Sequence, residues 1–226
     1  MAGAEAGAWG PAGAIDEGAY LHRRRASRLG GLVSEPHPIV SAAAEGRFPE
    51  WAVASEDRRE HMSRVAVLLG SWAEALGLAA TESTRWRAAG YLHDALRDEG
   101  PDALRPRVSP ELRDLPDPIL HGPAVAERLR VEGVLDGELL RALAFHTIGD
   151  AGLRGLGRAL YAADFLEPGR TFRAEWRAAL RERMPAQLDD VVREVVGARV
   201  VRMIERGCGV QPRTIAFWNS LAADCR

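Results

Sequence analysis

Lysine is missing from this chain, and all 30 of its basic residues are arginine. That bias reflects codon composition as much as chemistry, so a single arginine carries little functional weight by itself. Cysteine is nearly as scarce. Cys208 and Cys225 both lie near the C-terminus, which argues against a disulfide framework and fits a reducing cytoplasm. No uncharged run is long enough to span a bilayer, so no membrane partner is expected. The first residues lack a basic stretch followed by an apolar one, so an export signal is not expected either. A net charge of -2 gives no reason to expect sequence-independent nucleic-acid binding. There is no P-loop, no G-x-S-x-G and no cysteine placed to attack a substrate, so the hydrolases built on those parts lack them here.

What the chain does have is apolar residues in helical order. With 226 residues, 46% of them hydrophobic, it is sized for one domain with a substantial core and a small appendage. Residues 1–45 mix Ala, Gly and Pro around a basic knot, Arg23, Arg24 and Arg25, and show little periodicity. They read as a flexible tail with a short helix near Ile39 to Ala44, and the arginine knot reads as a solvated charge run. His22 and His37 fall in this tail and are set aside from any site. Residues 46–226 read as the folded domain.

Ser55 is a plausible N-cap, with Glu56 and Asp57 suiting the positive end of a helix dipole. His61, Val65, Leu68, Trp72 and Leu76 then share one face of the helix that follows. A second helix, Glu82 to Leu96, carries Trp86, Ala89, Leu92 and His93, and a polar, Pro-rich stretch from Asp98 to Pro118 interrupts the pattern. Pro123 can open the next helix, leaving His121 at its N-terminal lip. Asp136 caps a segment in which Leu139, Leu143 and His146 share a face, and Leu156 to Leu166 places Asp164 near a helix end before Pro168-Gly169. Segments Thr171 to Met184 and Leu188 to Arg206 complete an all-α reading, with Gly207 as the residue after the last C-cap.

Polar residues interrupt this apolar pattern in a definite order: His61, His93-Asp94, His121, His146, Asp164. A lone histidine on an apolar face is more often a satisfied core residue than a ligand. Six such groups at separated inward or helix-terminal positions point instead to a shared bound cation, because burying them without partners is costly. His93 and Asp94 diverge by about 100° around a helix, so only a cluster near the helix end can use both. Nitrogen and carboxylate donors without cysteine fit a catalytic Fe, Mn, Mg or Co site with open positions better than a structural zinc site.

The order H…HD…H…H…D resembles the HD superfamily of helical metal-dependent phosphohydrolases. The strings Arg58-x-x-His61, GYLHDALR, ILHG, HTIG and YAADFLEPGR resemble its YqeK-like branch, the bacterial symmetrical bis(5′-nucleosyl)-tetraphosphatases. The likeness runs from about Pro49 to Leu221, including QPRTIAFWNS. It implies an HD-domain helical bundle that splits diadenosine tetraphosphate into two ADP in the cytoplasm. It further implies two divalent ions, iron ahead of Mn, Co or Mg. His61, His93, Asp94 and Asp164 would hold the first ion, and His121 and His146 the second, with Asp94 bridging. Two cations about 3.5 to 4 Å apart can activate a shared water and neutralise phosphoryl charge, so no protein nucleophile is needed.

Arg97 stands where the HDxxK pattern of the family has lysine; it keeps a cation but replaces a point charge with a planar fork. Asp94 and Arg97 are the expected catalytic residues. Arg97, Thr147 and Arg170 are candidates for holding a nucleotide polyphosphate, against the alternatives of surface charge, helix-end hydrogen bonding and a salt bridge. Phe145, Phe165, Phe172, Trp176, Phe217 and Trp218 could stack on a base, although aromatics at this spacing are more often core. The oligomeric state is left open, a homodimer included. Two other functions remain in view: a different HD activity on nucleotide monophosphates or phosphodiesters, and a non-catalytic nucleotide sensor.

Overall fold

The computed structural model describes residues 35 to 222, whose regular structure is all helical, with no strand among them. Ten α-helices follow in order: α1 Pro38–Ala44, α2 Glu56–Ala75, α3 Ala80–Leu92, α4 Pro101–Leu104, α5 His121–Val131, α6 Gly137–Phe145, α7 Gly155–Leu166, α8 Ala174–Arg183, α9 Leu188–Glu205 and α10 Pro212–Leu221. The all-α expectation therefore holds. The Pro-rich interruption is the four-residue α4 and three single 3-10 turns, pinned by buried Leu104 and Val108. None of the helices is long and apolar enough to cross a membrane, among the described residues.

Local signals set most boundaries. Asp136 caps α6, its side chain accepting from the Leu139 amide at 3.0 Å. Gly207 follows α9 with φ +66°, the left-handed conformation that glycine adopts without a Cβ penalty. Ser55 occupies the N-cap of α2 but makes no side-chain cap bond; its own amide is held by Asp98 Oδ2 at 2.7 Å. Helix α3 stops at Leu92, four residues earlier than expected, and His93 becomes its C-cap. Helix α10, opening on Pro212 and burying Thr214 and Phe217, was not expected as a helix.

The inward face of α2 also differs from the expected one. Leu76 is exposed past the helix end and Leu68 is half-buried, whereas Met62, Ala66, Leu69 and Ala73 are buried beside His61, Val65 and Trp72. The face is turned because α2 packs against both α3 and α7, which widens the apolar stripe. Helix α1 packs on α3 and buries Val40, Ala43 and Ala44 in the same core. His37, set aside above, caps this helix, its Nδ1 accepting from Ile39 N. The remainder of the N-terminal stretch, including His22 and the arginine knot, lies outside the described residues.

Two glycines fix the helix crossings that matter most. A Cβ on Gly90 of α3 would lie 2.4 Å from Ala66 Cα in α2, and one on Gly122 of α5 would lie 2.7 Å from the Leu143 carbonyl oxygen in α6. In each case backbone meets backbone, a separation no larger residue permits. We expect Gly90→Ala to destabilise the fold by about 1–3 kcal/mol through overpacking, read as a lower urea midpoint at unchanged m-value. A chain starting at residue 46 loses α1, and its melting temperature should fall below that of a chain starting at residue 35.

Candidate metal centre

His93 and His146 sit at equivalent places, each capping the C-terminus of a helix in αR conformation. Helix ends leave carbonyls without intrahelical partners. Each imidazole uses one: Nδ1 of His93 lies 2.8 Å from Gly90 O, and Nδ1 of His146 lies 2.8 Å from Leu143 O. A carbonyl only accepts, so both Nδ1 atoms carry the proton and both Nε2 atoms present a lone pair. His61, one turn into α2, is arranged likewise by a different partner. Its Nδ1 lies 3.3 Å from Glu167 Oε1. His121, at the first position of α5, is the exception: its buried Nδ1 has no hydrogen-bond partner among the described residues.

The Nε2 atoms converge in two pairs. His61 and His93 approach to 3.2 Å, as do His121 and His146. Asp94, the turn residue after His93, lies between the pairs and gives one oxygen to each. Oδ2 is 3.9 Å from His61 Nε2 and 3.7 Å from His93 Nε2; Oδ1 is 3.0 Å from His121 Nε2 and 3.4 Å from His146 Nε2. Two compact three-residue groups result, His61–His93–Asp94 and Asp94–His121–His146, all buried. Asp164, in the last turn of α7, joins the first group through Oδ1, 3.2 Å from His61 Nε2.

Burial and mutual charge set the protonation of these groups. Burial pushes His93 down to about 4, Asp94 offsetting it only in part, and burial likewise lowers His121. His61 goes the other way. Burial alone would lower it, but Asp164 and Glu167 outweigh that and raise it above the ordinary imidazole value. Burial also penalises the ionised carboxylates, yet His93, His121 and His146 hold Asp94 well below the usual range, and His61, His93 and Arg170 do the same for Asp164.

A divalent cation fits this set. At the first pair, two Nε2 atoms meet at hydrogen-bonding distance beside two ionised carboxylates, a crowd of acceptors that draws positive charge onto His61. At the second, His121 can donate from Nε2 to Asp94 only by leaving a bare Nδ1 buried. A cation among the Nε2 and carboxylate oxygens removes both conflicts. Oriented Nδ1–H bonds to carbonyl or carboxylate acceptors are how protein metal sites fix their histidines.

Glu167 was not singled out as a site residue, although it is one of the most constrained side chains here. Only 2% exposed, it accepts from His61 Nδ1, from Arg64 Nε at 2.8 Å and from the Gly169 amide at 2.7 Å. These contacts hold it down at about 2 in spite of its burial. A carboxylate at a helix C-terminus opposes the macrodipole, and that conflict was the available signal. Arg58 is a second such residue. One turn before His61, it places Nη1 2.8 Å from Asp94 Oδ2, while its buried Nε has no hydrogen-bond partner among the described residues.

The expected substrate contacts surround the centre without all entering it. Thr147 Oγ1 is 3.1 Å from His146 Nε2. Arg170 is exposed and places Nη2 2.9 Å from Asp164 Oδ1 and Nε 3.5 Å from Glu167 Oε1. Arg97 donates through Nη1 to the Pro118 carbonyl at 3.1 Å, on the turn leading to His121. Of the aromatics, Phe217 is consumed by the core, edge-on to Tyr161 with centroids 5.2 Å apart, whereas Phe172 is 59% exposed.

A helical domain with paired imidazoles about a shared aspartate defines a class, and the HD domain family matches residues 58–192, the span that contains all six of these residues. The chain belongs to the HD domain family. Among its relatives, the symmetrical bis(5′-nucleosyl)-tetraphosphatase of Staphylococcus aureus is 26% identical over 170 residues, 73% of this chain and 86% of that protein. The enzyme of the same name from Bacillus subtilis is 24% identical over 148 residues, 63% of this chain and 78% of that protein. A solved structure from Clostridium acetobutylicum, described as a predicted HD superfamily hydrolase involved in NAD metabolism, superimposes with TM-score 0.65 at 22% identity. That likeness covers 80% of this chain and 94% of the other.

Metal content and pH test this centre. Replacing Glu167 by Ala should weaken metal retention about 10- to 100-fold by freeing the His61 ring, with helicity by circular dichroism retained. The raised pKa of His61 means that a cation must displace a proton from it near neutral pH. Retention, measured by elemental analysis after dialysis at graded pH, should therefore rise as pH climbs through that value and fall as pH drops toward 5. Retention flat across this range would contradict a site built on His61.

Proposed function

We propose that this protein is a metal-dependent hydrolase that splits diadenosine tetraphosphate and related dinucleoside polyphosphates into two nucleoside diphosphates, in the cytoplasm. The observation that carries the reading is Asp94 giving one oxygen to each of two buried imidazole pairs, in a family whose relatives here are symmetrical bis(5′-nucleosyl)-tetraphosphatases. His61, His93, Asp94 and Asp164 would hold one ion, and Asp94, His121 and His146 the other. Four imidazole nitrogens suit iron better than Mg, which prefers oxygen ligands and retained water. When bound, such a pair supplies water activation at neutral pH and charge neutralisation on phosphoryl oxygens.

The protein's own groups then bind and orient. Arg170, tied to Asp164, can reach phosphate from the exposed rim, and Arg97 keeps donors beyond the one given to Pro118. Thr147 offers a hydroxyl beside His146. Arg58 shares Asp94 Oδ2 and so limits how that carboxylate can turn. Glu167 and the two helix-end carbonyls keep the Nε2 atoms aimed inward before any ligand arrives.

Product analysis is the test. With Fe or Mn supplied, diadenosine tetraphosphate should yield ADP as the main product by anion-exchange chromatography. Predominant ATP plus AMP would contradict symmetrical cleavage. Phosphate released from nucleoside monophosphates, with the dinucleotide untouched, would move the assignment to a nucleotidase. Asp94→Ala should lower turnover by at least about 1000-fold at saturating metal, because one substitution strips a ligand from both groups.

A further inference from the structure

Beside the metal centre, a cleft of about 340 Å³ runs from Asp164 and Arg170 along α8 and α9, walled by Arg177, Arg199, Arg202 and Arg206. Most arginines elsewhere in the domain lie within salt-bridge distance of a carboxylate. These four do not, among the described residues. Arg199 donates to the Thr147 carbonyl at 2.6 Å and lies over the Tyr161 ring, and Arg202 lies over Phe172 with 4.8 Å to its centroid. Arg177 is only 7% exposed. Its Nε donates to the Phe172 carbonyl at 2.7 Å and its guanidinium stacks on Phe165 at 3.9 Å, but its buried Nη1 has no partner among the described residues.

Cations gathered in one partly desolvated cleft repel one another, and a buried N–H without an acceptor adds to the cost. An anion with several oxygens relieves both. Guanidinium groups match phosphate oxygens through paired N–H donors, and the aromatic faces under Arg177 and Arg202 hold their forks in place without neutralising them. The cleft continues into a second cavity of about 420 Å³, where Phe172 and Trp176 add apolar surface.

We propose that this cleft is a polyphosphate site, in which Arg177, Arg199, Arg202 and Arg206 hold the part of a condensed phosphate chain that extends away from the metal centre. It makes the protein selective for chain length: a single phosphate at the centre leaves the four guanidiniums unused, and a longer chain engages them. The nucleoside at the far end of that chain would then lie toward Phe172. The identity of the chain rests on the function proposed above; the anion site rests on the cleft alone.

The probe is inorganic tripolyphosphate, titrated calorimetrically into the full-length metal-loaded protein, with orthophosphate for comparison. Tripolyphosphate should bind far more tightly than orthophosphate. Arg202→Gln combined with Arg206→Gln should weaken tripolyphosphate binding by about 10- to 100-fold, with little change for orthophosphate. The same double variant should raise KM for diadenosine tetraphosphate by more than it lowers kcat. Arg177→Gln should weaken tripolyphosphate further, and if that buried substitution prevents folding, the exposed pair still decides the matter. Wild-type affinity for tripolyphosphate in the double variant would overturn the proposal. If the dinucleotide is not cleaved at all and the double variant still loses tripolyphosphate, the cleft stands and the proposed function falls. If the dinucleotide is cleaved with unaltered KM by a double variant that binds tripolyphosphate normally, the cleft falls alone.

Discussion

Everything at the centre depends on one electrostatic problem: imidazole nitrogens carrying lone pairs are held 3.2 Å apart, next to ionised carboxylates, inside a packed core. A core that placed these groups for stability alone would hydrogen-bond them to one another. Here the Nδ1 protons of His61, His93 and His146 are committed outward, to Glu167 and to two helix-end carbonyls, so the inward nitrogens and the carboxylates beside them crowd together as acceptors. Positive charge at the middle relieves this crowding, and the fold supplies the rigidity that keeps the groups from moving apart.

That rigidity comes from the helix crossings. Gly90 lets α3 approach α2 backbone to backbone and brings His93 against His61; Gly122 does the same for α5 and α6 and brings His121 against His146. The two halves therefore repeat one device, a histidine at a helix C-terminus facing a second on the neighbouring helix, and Asp94 joins them. The halves are not equivalent. The first has Glu167 and Asp164 around it, whereas His121 Nδ1 has no hydrogen-bond partner among the described residues, so nothing there fixes its ring as Glu167 fixes that of His61.

The six positions that converge at the candidate centre were legible in the sequence because each is a polar side chain in an otherwise apolar helical stretch, which burial alone cannot explain. The ends of α3 and α6 were nearly legible too, since a histidine after an apolar run marks where carbonyls are left over. Glu167 was hidden: its partners Arg64 and His61 lie more than 100 residues away in the chain, and only the packing of α2 on α7 brings them together. The arginine cleft was hidden for a compositional reason. In a chain whose every basic residue is arginine, no single one stands out, and only the fold gathers four arginines without a carboxylate partner into one cleft. Helix α1 was seen as a short helix within a tail, because three small buried residues give too little periodicity to reveal that it closes the core over α3.

Whether Asp94 is shared between two cations, as proposed, is tested most directly by anomalous diffraction at the iron edge, on crystals of protein loaded with ferrous ion. Two peaks are expected on either side of the Asp94 carboxylate, one bounded by His61, His93 and Asp164 and the other by His121 and His146. A single peak, with His121 and His146 hydrogen-bonded to Asp94 and no density between them, would contradict it.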